Sequence, residues 1–259
     1  MTNEKWALIT GASSGIGAEF AKIYAKRGYG VVLVARRTDR LTELASQLET
    51  STRIISCDLR DRQAALDLYD MVYDLNVEIV VNNAGFGAVG RYEQIDIEKQ
   101  LDMIDLNCTA VSAITYTFLK DFRYRDCGAI LNVASSAGLM PGGPNMAMYY
   151  ATKAFVVSLT NSINDELKSS GSHVKISALC PGPVDTEFDS VAGVSFSMKG
   201  ITPKYCAMCG AYGLDHGERI IIPETRFKLL KTAAKLTPER AALRITGFSQ
   251  KRKTGDLGG

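Results

Sequence analysis

Histidine, tryptophan, proline and cysteine are all scarce in this chain of 259 residues, which has two His, one Trp, seven Pro and six Cys. Two histidines are too few for a His-rich metal centre, and the cysteines at 57, 108, 127, 180, 206 and 209 follow no disulfide framework. Cys206-x-x-Cys209 has no second cysteine pair to complete it, so neither zinc nor redox work is expected of it, and no metal is expected elsewhere. An excess of one charge is missing too. Thirty Lys and Arg against 28 Asp and Glu leave a net charge of +2, which argues against a nucleic-acid binder. No apolar run approaches the ~18 residues of a membrane span. The first residues, Met1 to Trp6, lack the basic-then-apolar layout of a signal peptide. A soluble, cytoplasmic protein is therefore expected.

What is present reads as a globular α/β chain. Apolar residues at 46% and charged residues at 22% sit near globular averages. A chain of this length buries about three quarters of its unfolded surface, so its core needs no covalent staple. Short β-branched runs recur at 7–10, 31–34, 53–56, 78–81, 129–133, 174–179 and 219–222. They are almost continuously apolar, as strands buried on both faces of a parallel sheet must be. Segments with helical periodicity lie between them, at 18–27, 38–48, 61–75, 97–122 and 149–169. Such alternation predicts an open, doubly wound, mostly parallel Rossmann-type sheet with helices on both faces. One domain is expected over 1–223, with 224–259 as a basic helical extension packed on it.

The first strand leads into Thr10-Gly11-Ala12-Ser13-Ser14-Gly15-Ile16-Gly17 and then a helix. Glycines there let a backbone approach a pyrophosphate, and the unpaired N–H groups of the helix start face it. The spacing is Gly-x3-Gly-x-Gly rather than the common G-x-G-x-x-G. About 20 residues further on, where an NAD site places an acid for the ribose 2′-hydroxyl, the chain reads Val34-Ala35-Arg36-Arg37. Two guanidiniums in place of a carboxylate match a 2′-phosphate, so NADP(H) is the expected cofactor.

With these motifs the chain resembles the short-chain dehydrogenase/reductase family, in an NADP-preferring bacterial branch, over nearly its whole length. The glycine segment matches the family's own, and Asn82-Asn83-Ala84-Gly85 matches its Asn-Asn-Ala-Gly motif. Asp58, beside Leu59 at the end of the third strand, matches the family's adenine-contacting Asp. The family's Pro-Gly segment is matched by Pro181-Gly182-Pro183-Val184-Asp185-Thr186. The resemblance implies cofactor contacts from Gly11, Ser13, Ser14, Gly15, Ile16, Gly17, Arg36, Arg37, Asp58, Leu59, Asn83, Ala84 and Gly85. It implies further contacts from Tyr149, Lys153, Pro181, Gly182, Val184 and Thr186, and an assembly of two or four copies through the 97–122 and 149–169 helices.

The family's catalytic Tyr-x-x-x-Lys occurs twice, as Tyr116…Lys120 and Tyr149…Lys153. The family also places a serine 13 residues before the tyrosine. Counting back from Tyr149 reaches Ser136, while counting back from Tyr116 reaches Met103. By this count Ser136, Tyr149 and Lys153 are the catalytic group, with Asn107 holding a relay water by resemblance. The chemistry is coherent. Residues four apart share a helical face, and a lysine cation beside a phenol of pKa near 10 brings it toward the working range.

Loops 139–148 and 188–198 are rich in Met with Phe188, Val191, Val194 and Phe196. They predict an adaptable apolar pocket, with Ser136, Met140, Met146, Tyr149 and Phe188 meeting the substrate. The expected substrate is a ketone or secondary alcohol on a bulky hydrophobic skeleton, steroid-like or fatty-acyl-like. Two other readings stand beside it. One is a 3-oxoacyl-carrier-protein reductase, which needs a basic patch near the pocket. The other is an NADP-binding regulator, which needs no proton donor. The 224–259 tail carries nine Lys or Arg against three acids. Lys228, Lys231 and Lys235 form a stripe opposite an apolar face on Arg226–Leu236, and a second stretch opens at Pro238. Such a stripe can lie on an anionic membrane, but packing over its own domain is the commoner use and the expected one.

Overall fold

The computed structural model describes residues 4–188, 200–228, 237–238, 240–241, 243–244 and 246–247. Its sheet has seven strands, β1 (Lys5–Thr10), β2 (Gly30–Ala35), β3 (Thr52–Ser56), β4 (Asn76–Asn82), β5 (Ala129–Val133), β6 (Lys175–Leu179) and β7 (Ile220–Ile221). They lie in the order β3-β2-β1-β4-β5-β6-β7, every pairing parallel. The helices that cross between them are α1 (Gly15–Lys26), α2 (Thr38–Ser46), α3 (Arg62–Asp67), α4 (Ile97–Ile104), α5 (Val111–Arg125), α6 (Ala147–Ser169) and α7 (Pro203–Asp215).

The period-two geometry of strands sorts the apolar side chains into two layers. Ala7 and Ile9 of β1 face the core shared with Phe20 and Tyr24 of α1 and with Cys206, Ala207 and Leu214 of α7. Trp6 and Leu8 face the opposite core, with Phe118 and Phe122 of α5 and Leu167 of α6. Burial on both faces accounts for the continuous apolar runs seen in the sequence.

Three elements differ from expectation. The 61–75 helix is only α3, started by Asp61, whose carboxylate accepts from Gln63 N–H; after it a 3₁₀ turn at Asp70–Val72 takes the chain into β4. The 97–122 helix is interrupted by a π-helical segment, Asp105–Ala110, between α4 and α5. Helix α7 was not expected. Its Thr202 cap accepts from Tyr205 N–H with Pro203 in the first turn, an N-terminal arrangement legible in the sequence.

The tail begins against the domain. Phe227 packs on Ala178, Cys180 and Ile222, and the buried Glu224 carboxylate accepts from Gly182 N–H at 3.0 Å. Leu243 abuts Gly142. Most of the lysine stripe, including Lys231 and Lys235, lies outside the described residues, as do Val191, Val194 and Phe196. Among the described residues no helix is long and apolar enough to cross a membrane.

Candidate active site

A cleft of about 640 Å³ opens at the carboxyl ends of the strands, where ligands of open parallel sheets bind. Its first wall is the turn from β1 into α1. Gly11 has φ +64° and Gly15 φ +55°, left-handed values that other residues rarely adopt. A Cβ on Gly11 would also stand 2.9 Å from the Ala84 Cα, so the turn can lie against the β4 loop only without a side chain. The Asn83 amide holds it there, donating to the carbonyls of Thr10 at 3.0 Å and Gly11 at 3.2 Å. Gly17 does not line the cleft. Its missing Cβ lets α1 sit on the Gly11 carbonyl, a packing role.

At the outer end of the cleft stand Arg36, Arg37, Asp58 and Leu59, all lining it as expected. The two arginines are engaged separately. Arg36 lies 3.8 Å from the Asp58 carboxylate. Arg37 donates to the hydroxyls of Ser13 and Ser14 and to Glu187. Asp58 is gripped by Arg60, whose hydrogen bonds hold its carboxyl below the ordinary range, and Arg60 reaches on to Asp102 of α4. Arg60 and Asp102 were not foreseen, since a sequence does not show that a 42-residue separation closes into one ion-pair chain.

The inner end carries the chemical groups. Tyr149 and Lys153 lie on α6 and share its cleft-facing side. Burial pushes the Tyr149 phenol up to about 12, opposed by a hydrogen bond with the Ser135 hydroxyl. That bond corrects the serine assignment. Ser135, not Ser136, reaches the phenol. Ser135 caps a short 3₁₀ turn (Ser136–Leu139) and also accepts from Ala137 N–H at 3.1 Å. Ser136 lines the cleft but is held through its backbone, its N–H donating to the Pro181 carbonyl at 2.7 Å. Here the serine is one position further from Tyr149 than the family count, so the intervening loop is one residue longer than that count assumes.

Lys153 is only 6% exposed, and burial draws its pKa down to about 8. Its ammonium donates to the Val133 carbonyl at 2.9 Å and sits 5.9 Å from the Tyr149 ring centroid. The expected lowering of the phenol by this cation is not met in this arrangement, where desolvation is the larger effect.

Asn107 is fully buried within the π-helical segment. Its Oδ1 accepts from Phe86 N–H, and its Nδ2 donates to the Phe86 carbonyl and to the Thr152 hydroxyl. Both amide hydrogens are thereby used, and the side chain positions the β4 loop against α6, with one Oδ1 lone pair beyond the Phe86 bond. Of the apolar residues expected near substrate, Met146 and Phe188 line the cleft, and the Phe188 ring centroid stands 5.4 Å from that of Tyr149. Met140 does not line it. It packs beside the small Ala137–Met146–Tyr150 cluster. Phe86 and Tyr150 line the cleft without having been anticipated.

A short chain dehydrogenase family model matches residues 5–193. The chain belongs to this family. Among curated relatives, the short-chain dehydrogenase is 37% identical to an uncharacterised oxidoreductase of Staphylococcus epidermidis over 185 residues, 71% of this chain and 79% of that protein. A solved short-chain dehydrogenase from Sphingobium yanoikuyae in complex with NADPH is 32% identical and superposes with a TM-score of 0.79, covering 89% of this chain and 94% of that one. The bulky-bulky ketone specific alcohol dehydrogenase from Comamonas testosteroni is 29% identical with a TM-score of 0.76, covering 90% and 93%. Membership makes the chain an oxidoreductase of the CH–OH/C=O couple that uses a nicotinamide cofactor. The cleft suits that cofactor chemically: a close-approach glycine turn, two guanidiniums and an acid at one end, and a phenol, a hydroxyl and an ammonium at the other.

Proposed function

We propose that this protein is an NADP(H)-dependent ketoreductase for bulky hydrophobic ketones, steroid-like or fatty-acyl-like, working reversibly on the corresponding secondary alcohols. The observation that carries the reading is one continuous cleft with Arg36 and Arg37 at one end and the Ser135–Tyr149–Lys153 group at the other. Support for NADP(H) is the pair of guanidiniums where an NAD site has a carboxylate, together with the NADPH bound by the Sphingobium relative. Support for a bulky substrate is the apolar inner wall of Phe86, Met146, Tyr149, Tyr150 and Phe188, together with the name of the Comamonas relative.

A nicotinamide cofactor held in this cleft would supply hydride for carbonyl reduction and accept it in alcohol oxidation. The Ser135 hydroxyl holds the substrate oxygen beside the phenol, and the Tyr149 O–H donates its proton to that oxygen as negative charge develops. A phenol raised to about 12 stays protonated at neutral pH, as a donor for reduction must. Lys153 lies beside Gly85 with its ammonium donating to the Val133 carbonyl; in this reading it bonds the nicotinamide ribose and reprotonates the tyrosine. Asn107 keeps the Gly85–Phe86 segment at the right distance from α6.

The test is a panel of bulky and small ketones with NADPH and with NADH, followed at the nicotinamide absorbance. Reduction of the bulky members with a preference for NADPH is expected. Tight NADPH binding without turnover on any ketone would instead make the protein a regulator, and a preference for NADH would overturn the cofactor reading.

A further inference from the structure

The cluster at the outer end of the cleft holds one carboxylate that the proposed reaction does not use, that of Glu187. Arg37 Nη1 donates to its Oε2 at 2.9 Å and Arg40 Nη1 donates to its Oε1 at 3.0 Å. The Ser14 hydroxyl bonds the same carboxylate. Arg37 is anchored in turn by the Ser13 and Ser14 hydroxyls at 2.9 to 3.2 Å. Two guanidiniums and a hydroxyl therefore converge on a single anion, and they hold its carboxyl below the ordinary range, the Arg37 bond most of all. This is the donor set that binds a phosphate monoester. It stands where β2 passes into α2, the place of the ribose 2′-substituent in this sheet. Glu187 reaches it from the far side of the cleft, 150 residues along the chain from Arg37.

We propose that Glu187 is a specificity-determining residue, an in-chain competitor of the 2′-phosphate that occupies Arg37 and Arg40 and must yield them when NADP(H) binds. The inference rests on the NADP(H) reading above. A carboxylate and a phosphate cannot share one pair of guanidiniums without like-charge repulsion, so displacing Glu187 weakens NADP(H) binding. NAD(H), with a neutral hydroxyl at that position, leaves the ion pairs in place. The side chains of Arg37 and Glu187 are each 42% exposed, which sets a modest effect.

Calorimetric titration of NADPH and NADH into the wild type and Glu187→Gln tests the proposal without relying on turnover. Gln keeps the shape and removes the charge at a partly exposed position, and thermal melting checks that the fold is kept. The variant is expected to bind NADPH about two- to fivefold more tightly, the range over which exposed ion pairs act, with NADH binding unchanged. The gain should shrink in an Arg37→Ala background, where the competed-for donor is gone. Unchanged or weaker NADPH binding overturns the proposal, as does equal tightening of both cofactors. Weaker NADH binding also overturns it, because Glu187 would then be an acceptor for the ribose hydroxyl. Failure of the underlying reading shows separately, as a wild type that binds NADH more tightly than NADPH.

Discussion

Replacing Ser135 and Ser136 in turn by alanine separates two neighbours that the sequence alone could not rank correctly. Ser135 loses two things on truncation, the hydroxyl beside the Tyr149 phenol and the cap that accepts from Ala137 N–H. A hydroxyl aimed at a developing oxyanion is worth about 10²- to 10³-fold in kcat, or roughly 3–4 kcal/mol of barrier. The lost cap adds about 1 kcal/mol of stability, which melting would register. The phenol would also rise further, since the Ser135 bond is what opposes its desolvation. Ser136 is held by its backbone N–H, which an alanine keeps, so its variant should stay within about threefold of wild type in kcat. Steady-state reduction of a bulky ketone at saturating NADPH, with NADPH affinity measured alongside, distinguishes the two. The expected pattern is a kcat fall for Ser135→Ala with nearly unchanged cofactor affinity, and little change for Ser136→Ala. Equal losses, or a larger loss in Ser136→Ala, would refute the assignment and restore the thirteen-residue count.

Tyr149→Phe should abolish turnover and leave NADPH affinity within a few fold, whereas Tyr150→Phe should keep most activity; comparable losses in single-turnover rates would mean that the wrong phenol has been chosen. Lys153 gives a pH dependence of stability: its folded pKa of about 8 lies below the unfolded value of 10.5, so the unfolded chain binds more protons between those limits and stability rises with pH there. Urea melts of wild type and Lys153→Met at pH 8, 9 and 10 should show the variant's relative advantage shrinking by about 1 kcal/mol per pH unit, and a difference independent of pH contradicts the buried-ammonium account. Gly138→Ala places a Cβ into the Lys153 carbonyl, forcing the Ser135 turn away from α6; a loss of about 1–3 kcal/mol in stability together with a lower kcat is expected, and an unperturbed enzyme would show that this contact yields freely. Light scattering at micromolar concentration should find two or four copies, and a monomer would refute the assembly expected from the resemblance.

The sheet was the most legible part of the sequence because burial of the inner strands β1, β2, β4, β5 and β6 left nearly continuous apolar runs, and even the less buried edge strands β3 and β7 keep an Ile pair. All seven runs became strands within a few residues of their expected limits, down to the short β7 at Ile220–Ile221. Helices were less legible where they break. The interruption at Asp105–Ala110 shows in the sequence only as a polar Asn107 on an otherwise apolar stripe, and its meaning needed the Phe86 and Thr152 partners. Helix α7 was not expected although Thr202-Pro203 opens it, because its buried face is made largely of small residues, Cys206, Ala207, Gly210, Ala211 and Gly213, which leave a weak apolar stripe. At the site, Tyr149 and Lys153 follow from spacing within one helix. Ser135 does not, since a count across a Gly- and Pro-rich loop carries any length difference straight into the answer. Glu187 and the Arg60–Asp102 pair were invisible for a related reason, as each joins residues far apart in the chain.

What fixes the rotation of α6, and with it the aim of Tyr149, is mostly polar. Its buried apolar residues, Val156, Val157 and Leu167 among them, would tolerate small slides along the sheet, since apolar contact is non-directional. Hydrogen bonds do not tolerate them. Thr152 accepts from Asn107, Lys153 donates to Val133, Thr160 accepts from Asn132 at 3.0 Å, and Asn164 donates to the Ile176 carbonyl at 2.8 Å. Asn132 is itself bonded to Asn82, which also donates to Thr115 of α5. A buried chain of amides and hydroxyls thus runs from α5 through β4 and β5 to α6, and the partners of each group exist in only one register. A leucine at Asn132 would keep the bulk of this core but take one of two acceptors from the Asn82 amide and the donor from Thr160, loosening the hold on α6. Apart from the Lys153–Val133 bond, the register of the helix that carries Tyr149 is therefore held by residues that do not line the cleft.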